Sequence, residues 1–220
     1  MQPTPSWLRP TPMRDLVIVG AGGHGRETLD IVEAINAVTP TWNFLGFIDE
    51  GPGVADRLER RGARIIGTGP AGLAPDTSYV IGIGSSVVRE RIDAEFTAAG
   101  CDAATLIHPT ATVGADNRLS PGVLLAAGAR VTTNVTLGRH VHLNVNAVVS
   151  HDCTVGDHVT LSPGVHLNGD VTVGDRTFFG TGAIVTPQVT VGADASVGAG
   201  AVALADVPRG VTAIGVPARW

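Results

Sequence analysis

His151, Asp152 and Cys153 stand together in VSHDCT, residues 149–154, in a chain that has only seven histidines and two cysteines. Three chemistries would each use part of that trio. A metal site would take the imidazole and the thiolate as ligands. A redox site would need an activated thiol. General-base catalysis needs only the imidazole, with the neighbouring carboxylate fixing its tautomer. Cys101 and Cys153 make no CxxC pair and no disulfide framework, which suits a reducing compartment.

A second stretch with chemical potential is GAGGHG. Gly20, Gly22 and Gly25 satisfy GxGxxG directly after the strand pattern DLVIV and before a helical one, and Asp49 ends the next strand. Backbone amides and a helix N-terminus there would receive phosphate, and the acid a ribose hydroxyl. Taken alone this says NAD. Only one mononucleotide-sized half follows, however, so a mononucleotide or the nucleotide of a sugar nucleotide fits better. The alternative is that the glycines merely permit tight strand–helix packing. His24 lies in this turn, either facing the pocket or decorating it.

What positions the histidine is a repeat. From Ile107 an aliphatic or small apolar residue returns every sixth position: Val113, Leu119, Leu125, Val131, Leu137, Leu143, Val149, Val155, Leu161, Leu167, Val173, Phe179, Val185, Val191 and Val197, fading at Ala203. A period of six is neither a helix nor a simple strand alternation. It is the hexapeptide repeat of a parallel β-helix, three hexads to an 18-residue coil and coils stacked about 4.8 Å apart. Glycine or asparagine follows many of the aliphatics (Gly114, Gly138, Asn144, Gly156, Asn168, Gly174), as expected of corners needing positive φ. In this frame Val149 and Cys153 point inward, which makes the cysteine core filler, and His151 and Asp152 sit near a surface corner. His151 stacks on Thr133 and Gly169, where a missing side chain leaves a notch. His140, His142, His158 and His166 read as solvated turn residues.

Residues 14–106 follow a different pattern. DLVIVGAGGHGRE is strand, glycine turn and helix, with Leu29, Val32 and Ile35 on one face; NFLGFIDE is a second strand; TSYVIGIGSSVVRERIDAEF repeats strand, turn and helix, closing near Gly100. The fold class is therefore α/β plus β: a tail over 1–13, a small Rossmann-like domain over 14–106 and a β-helix over 107–220. The formal charge of -5, with 15 Lys and Arg against 20 Asp and Glu, argues against nucleic acid and anionic membranes as partners. Neither a signal-peptide pattern nor a membrane-length apolar run is present, so a cytoplasmic protein is expected.

GAGGHG, GFIDE, IGIGSS, LIHPTA, LNVNAVVSHDCTVGD, LSPGVHLNGDVTVGD and AIGVPAR together resemble the bacterial sugar O- and N-acetyltransferases of the sialic-acid and bacillosamine type, within the hexapeptide-repeat acyltransferases. The match runs from residue 14 to nearly the end. It implies a left-handed β-helix, a homotrimer with active sites between neighbouring prisms, and acetyl-CoA as donor. It implies His151 as general base, Asp152 as its orienting acid and Asn144 as a lining residue. Gly22, Gly23, His24, Asp49 and Gly84 match positions around the nucleotide sugar. Gly169, Thr172, Gly180, Thr181, Gly198 and Ala199 lie where acetyl-CoA runs along the coils. Many members carry a second histidine where this chain has Thr160, with His158 two residues earlier. The close H-x4-H pair of metal-binding hexapeptide trimers is absent, and no metal is expected.

The expected reaction is direct acetyl transfer to the amine of a nucleotide-linked amino sugar. His151 accepts the proton and an amide near Gly169 steadies the oxyanion, with no acyl-enzyme. O-acetylation of a sialic-acid-like sugar is the alternative within the class. A non-catalytic trimeric nucleotide-binding scaffold is the alternative outside it.

Overall fold

The computed structural model describes residues 12–51 and 55–220. The expected tail over 1–13 lies outside them except for its last two residues. The chain opens with β1 (Arg14–Val19), α1 (Gly23–Val38), β2 (Trp42–Ile48), α2 (Ala55–Glu59), β3 (Ile65–Gly67), β4 (Ser78–Ile81), α3 (Ser86–Ala98) and β5 (Asp102–Ala103). The strands form one parallel sheet in the order β3-β2-β1-β4-β5. Central β1 is covered on both faces, so Leu16, Val17 and Ile18 are all fully buried and the strand reads as an unbroken apolar run. α1 turns Leu29, Ile31 and Val32 to the sheet. α3 ends as expected near Gly100, whose φ of 82° lets Cys101 N–H turn back to the Phe96 carbonyl.

From Leu106 the chain winds into a three-sided parallel β-helix. Two-residue rungs pair with rungs 18 residues away, as in Val131↔Val149 and Val149↔Leu167. Face 1 has seven rungs from Leu106–Ile107 to Thr212–Ala213; face 2 has six from Thr112–Val113 to Val202–Ala203; face 3 has five from Arg118–Leu119 to Thr190–Val191. The second residue of most rungs, Leu137, Leu143, Val149, Leu161 and Leu167 among them, is fully buried on the axis. Each buried aliphatic of that size contributes about 1.5–3 kcal/mol relative to exposure, which makes the repeat itself the source of the prism's stability. The repeat fades at Ala203 as expected, yet the coil continues. Ser196–Val197 pairs with Thr212–Ala213, 16 residues on, so the last turn is two residues short.

The corners depart from the sequence reading. Positive φ falls three residues after the aliphatic, at 15 consecutive hexads from Asp116 (56°) through Asp152 (64°) to Gly200 (65°). Gly114, Gly138, Gly156 and Gly174 do not have it. They are glycine because a Cβ there would strike the next coil, 2.1 Å from the Thr132 carbonyl oxygen at Gly114 and 2.3 Å from the Ala193 nitrogen at Gly174.

The expectation of solvated histidines is also overturned at three positions. His140 and His142 are 0% exposed and His158 is 6% exposed, while His166 is exposed as expected. The small domain covers this side. α3 runs along the edge between faces 3 and 1: the Ser86 hydroxyl donates to the Arg176 carbonyl, Arg89 donates to the carbonyls of His140 and His158, and Asp93 accepts from Arg139 and His140. Leu106 and Leu124 of face 1 belong to the same apolar core as Leu16, Leu29 and Val80. Among the described residues no helix is long and apolar enough to cross a membrane.

Candidate active site

His151 follows the rung Val148–Val149 and stands on the edge between faces 2 and 3. The positive φ of Asp152 turns the chain there, and Asp152 N–H donates to the Thr133 carbonyl one coil back, while the His151 carbonyl accepts from Asp170 N–H one coil on. The imidazole is pinned from two directions. Its Nδ1 lies 2.7 Å from Asp152 Oδ2, and the ring covers Gly169, where a Cβ would come within 2.4 Å of His151 Cε1. Asn134 Nδ2 donates to the other carboxylate oxygen at 3.2 Å. The hydrogen bond to His151, then that from Asn134, holds the Asp152 carboxyl below its usual range, so it is an anion at neutral pH. Nδ1 therefore carries the proton and Nε2 presents a lone pair to solvent, the arrangement a general base requires. The Gly169 N–H has no acceptor among the described residues.

Cys153 has the opposite character. Its thiol is 1% exposed, donates to the Asn168 carbonyl at 3.0 Å and is pushed up by burial, which makes it filler for the coil. Among the described residues no cluster of His, Cys, Asp or Glu could hold a metal ion.

The other expected site residues divide between edges. His151, Asp152 and Gly169 share the edge between faces 2 and 3, whereas Asn144, Gly180, Thr181, Gly198 and Ala199 follow rungs of face 1 and lie on the edge between faces 1 and 2. Thr172 is exposed on face 3. Gly180 and Gly198 have packing reasons of their own, since a Cβ would come 2.5 Å from the Ala199 nitrogen and 2.9 Å from Ile214 Cγ2. Asn144 donates to the Leu161 carbonyl at 2.9 Å and lines a cleft of about 220 Å³ between α1 and the prism, together with His24, Glu27, His108, Val145 and Pro163. The fold thus brings Asn144 and His24 into one cleft and leaves His151 a full face away.

The glycine turn also divides. A Cβ at Gly25 would lie 1.8 Å from the Gly20 oxygen, and one at Gly20 would lie 2.6 Å from Ile83 Cγ1, so these two glycines are fixed by packing. Gly22, Gly23 and Gly84 face open space. Gly22 caps α1 without a side-chain hydrogen bond, which leaves the helix's first amides available to an anion. Asp49 accepts from Ala21 N–H at 2.6 Å and Gly51 N–H at 2.7 Å, bracing the turn at the mouth of a 210 Å³ cavity lined by Val19, Gly20, Thr68, Ile83 and Arg91. That cavity sits at the carboxyl ends of β1, β2 and β4, where the strand order reverses, the usual binding crevice of such sheets.

Sequence reasoning missed the polar seam between domains. Arg89 is fully buried, and all five of its N–H groups are used, on the carbonyls of His140, His158, Ile83 and Gly84 and on Thr160 Oγ1. Asp93 receives both Arg139 and His140, and Tyr79 as well. Burial raises the Asp93 carboxyl, but the hydrogen bonds from His140, Arg139 and Tyr79 together outweigh it and hold it far below the usual range. Tyr79 is pushed up to about 12 by burial and by Asp93. Thr160 is 2% exposed in this seam and His158 lies 3.8 Å from Asp93, so neither stands beside His151. The recurrence of His140 and His158 exactly one coil apart was the available signal, because residues 18 apart share a surroundings along one edge.

The PglD N-terminal domain family matches residues 15–96, and the bacterial transferase hexapeptide family matches residues 134–169. Among solved structures, the acetyltransferase domain of PglB from Neisseria gonorrhoeae FA1090 in complex with acetyl coenzyme A is 33% identical, with 94% of this chain and 99% of that one covered and a TM-score of 0.85. PerB from Caulobacter crescentus in complex with CoA and GDP-perosamine is 34% identical over 94% and 97% of the chains, TM-score 0.82. WeeI from Acinetobacter baumannii AYE is 29% identical over 94% and 99%, TM-score 0.80. No curated protein sequence matches. With a Rossmann-like domain docked on a left-handed hexapeptide β-helix along nearly the whole length of these relatives, the chain belongs to the sugar N-acetyltransferases of the hexapeptide-repeat superfamily.

Proposed function

We propose that this protein moves an acetyl group from acetyl-CoA to the amine of a nucleotide-linked amino sugar, with His151 as general base. The observation that carries the reading is the 2.7 Å contact of His151 Nδ1 with Asp152, which leaves Nε2 as the free, basic nitrogen on an exposed prism edge. The amine attacks the thioester carbonyl, Nε2 takes the amine proton, and the C–S bond breaks to release CoA thiolate. The imidazolium then returns its proton to the thiolate or to water. Asp152 stabilises the imidazolium, and the Gly169 N–H, which has no acceptor among the described residues, steadies the oxyanion.

The division of the site between two edges supports a homotrimer. Asn144 and His24 line a cleft at one side of face 2 and His151 stands at the other, so a second copy set against the first would complete each site. Three of the six outward rung residues of face 2, Val148, Ile184 and Val202, are half-buried aliphatics suited to such a contact, the others being Thr112, Arg130 and His166, whereas face 3 presents no outward aliphatic, only Arg118, Thr136, Thr154, Thr172 and Thr190. In this reading Gly22, Gly23, Asp49 and Gly84 hold the nucleotide, and Gly169, Thr172, Gly180, Thr181, Gly198 and Ala199 flank acetyl-CoA.

Thiol release from acetyl-CoA, followed against UDP-, GDP- and dTDP-linked 3- and 4-amino sugars and free sialic acid, tests the proposal. Turnover on one amino sugar supports it. Turnover on sialic acid alone would move the reaction to O-acetylation, and silence on all would leave a nucleotide-binding scaffold.

A further inference from the structure

The nucleotide crevice is framed by two loops that touch backbone to backbone. A Cβ at Gly82 would lie 2.5 Å from the Gly25 Cα, so backbone meets backbone there, and the Ile83 side chain packs directly on Gly20, where a Cβ would lie 2.6 Å from Ile83 Cγ1. Ile83 lines the 210 Å³ cavity directly. The position of the second loop therefore sets the width of the crevice.

That loop is not held by its own domain alone. Thr160, on face 1 of the prism, donates from Oγ1 to the Gly84 carbonyl at 3.1 Å. Arg89 donates to the carbonyls of Ile83 at 2.9 Å and Gly84 at 3.3 Å. The other arm of the same guanidinium is fixed to the prism, through the carbonyls of His140 at 3.0 Å and His158 at 2.6 Å and Thr160 Oγ1 at 2.9 Å. Both histidines are corner residues with positive φ in successive coils, their rings stacked with centroids 5.7 Å apart. A planar fork with every donor used, buried between the 82–85 loop and the prism, has one geometry.

We infer that Arg89 and Thr160 are positioning residues that register the 82–85 loop, and with it the nucleotide crevice, against the prism. The inference rests on the nucleotide-sugar reading above and adds to it that recognition of the nucleotide is set by residues outside the Rossmann fingerprint. Neither side chain needs to touch the ligand.

Thr160→Val removes the hydroxyl at constant shape, Thr160→Ser restores it, and Arg89→Lys keeps the charge but loses the fork. Binding of GDP, UDP and dTDP to the intact protein is measured by calorimetry, beside KM for acetyl-CoA and the thermal midpoint. The expected result is that whichever nucleotide the wild type binds is held about tenfold more weakly by Thr160→Val and Arg89→Lys, with recovery in Thr160→Ser. KM for acetyl-CoA stays within about twofold. Unchanged nucleotide affinity in Thr160→Val, or equal loss in nucleotide and acetyl-CoA parameters, would overturn the positioning role while leaving the transferase intact. A wild type that binds none of the three nucleotides would remove the crevice reading and this inference together, whatever the thiol-release assay shows.

Discussion

The imidazole of His151 lies flat against Gly169 one coil further on, so close that a single methyl group at Gly169 would sit 2.4 Å from the ring. The glycine is not there for backbone freedom, since its φ is not positive. It is the space the ring occupies.

Gly169→Ala should therefore swing the imidazole away from its position without unfolding the coil, because the atom it meets belongs to an exposed side chain that can move. A displacement of about 1 Å at a general base costs roughly 100-fold in rate. The expected outcome is a fall of that order in kcat, with the thermal midpoint nearly unchanged.

Asp152→Asn keeps an oxygen 2.7 Å from His151 Nδ1 and keeps a residue type that tolerates positive φ, but removes the charge that stabilises the imidazolium. kcat should fall about 10- to 100-fold while KM for acetyl-CoA holds. A steady-state comparison with Asp152→Ala, which should lose more, separates charge from orientation.

Because Asn144 and His151 stand on different edges of one prism, their loss should be complementable between chains. In the proposed homotrimer, His151→Ala and Asn144→Ala are each expected to be nearly inactive on their own. Co-refolded in equal amounts, random mixing gives about a quarter of the sites one intact copy of each residue, and activity should return to roughly that fraction. If both residues act from the same chain, no mixed site would be whole and activity would stay absent.

The seam makes stability depend on pH. Burial, first of all, lowers His140, His142 and His158, His142 furthest, and Arg89 pushes in the same direction. A histidine whose folded value is below its unfolded value of about 6.5 binds its proton only in the unfolded chain, so stability is full above about pH 6.5 and falls as pH drops below it. Each such histidine contributes about 1.4 kcal/mol per pH unit until it charges in the fold. Asp93, depressed by its three donors, adds a further loss only below about pH 4, as pH approaches its folded value. Thermal melts of the free protein should fall steeply between pH 6.5 and 5, and His142→Phe should flatten that slope.

Much of this was legible before any coordinates. Seventeen apolar residues in six-residue register fixed the coil, and the inward positions of Val149 and Cys153 followed from parity, leaving His151 outside. GxGxxG after DLVIV located the first βα turn. α2, β3 and β5 gave no signal because five residues or fewer cannot display a period. The positive-φ position was misplaced for a physical reason: glycine answers both to backbone conformation and to lack of space, and at Gly114 and Gly174 it answers to space. The seam failed for another. A hexad says which residues point outward, but not what lies outside, so His140 at a corner beneath α3, and His142 and Thr160 on face 1 beneath the small domain, read the same as the exposed His166 on face 2.

The central claim is that the exposed Nε2 of His151 takes the proton of the acceptor amine. Turnover of the accepted amino sugar nucleotide, measured at saturating acetyl-CoA in wild type and His151→Ala with oligomeric state checked by light scattering, tests it most directly. The account predicts a variant that assembles and binds both substrates normally while kcat falls about 100- to 10,000-fold. A variant turning over within a few-fold of wild type would contradict it and send the search for the base to the cleft lined by His24 and Asn144.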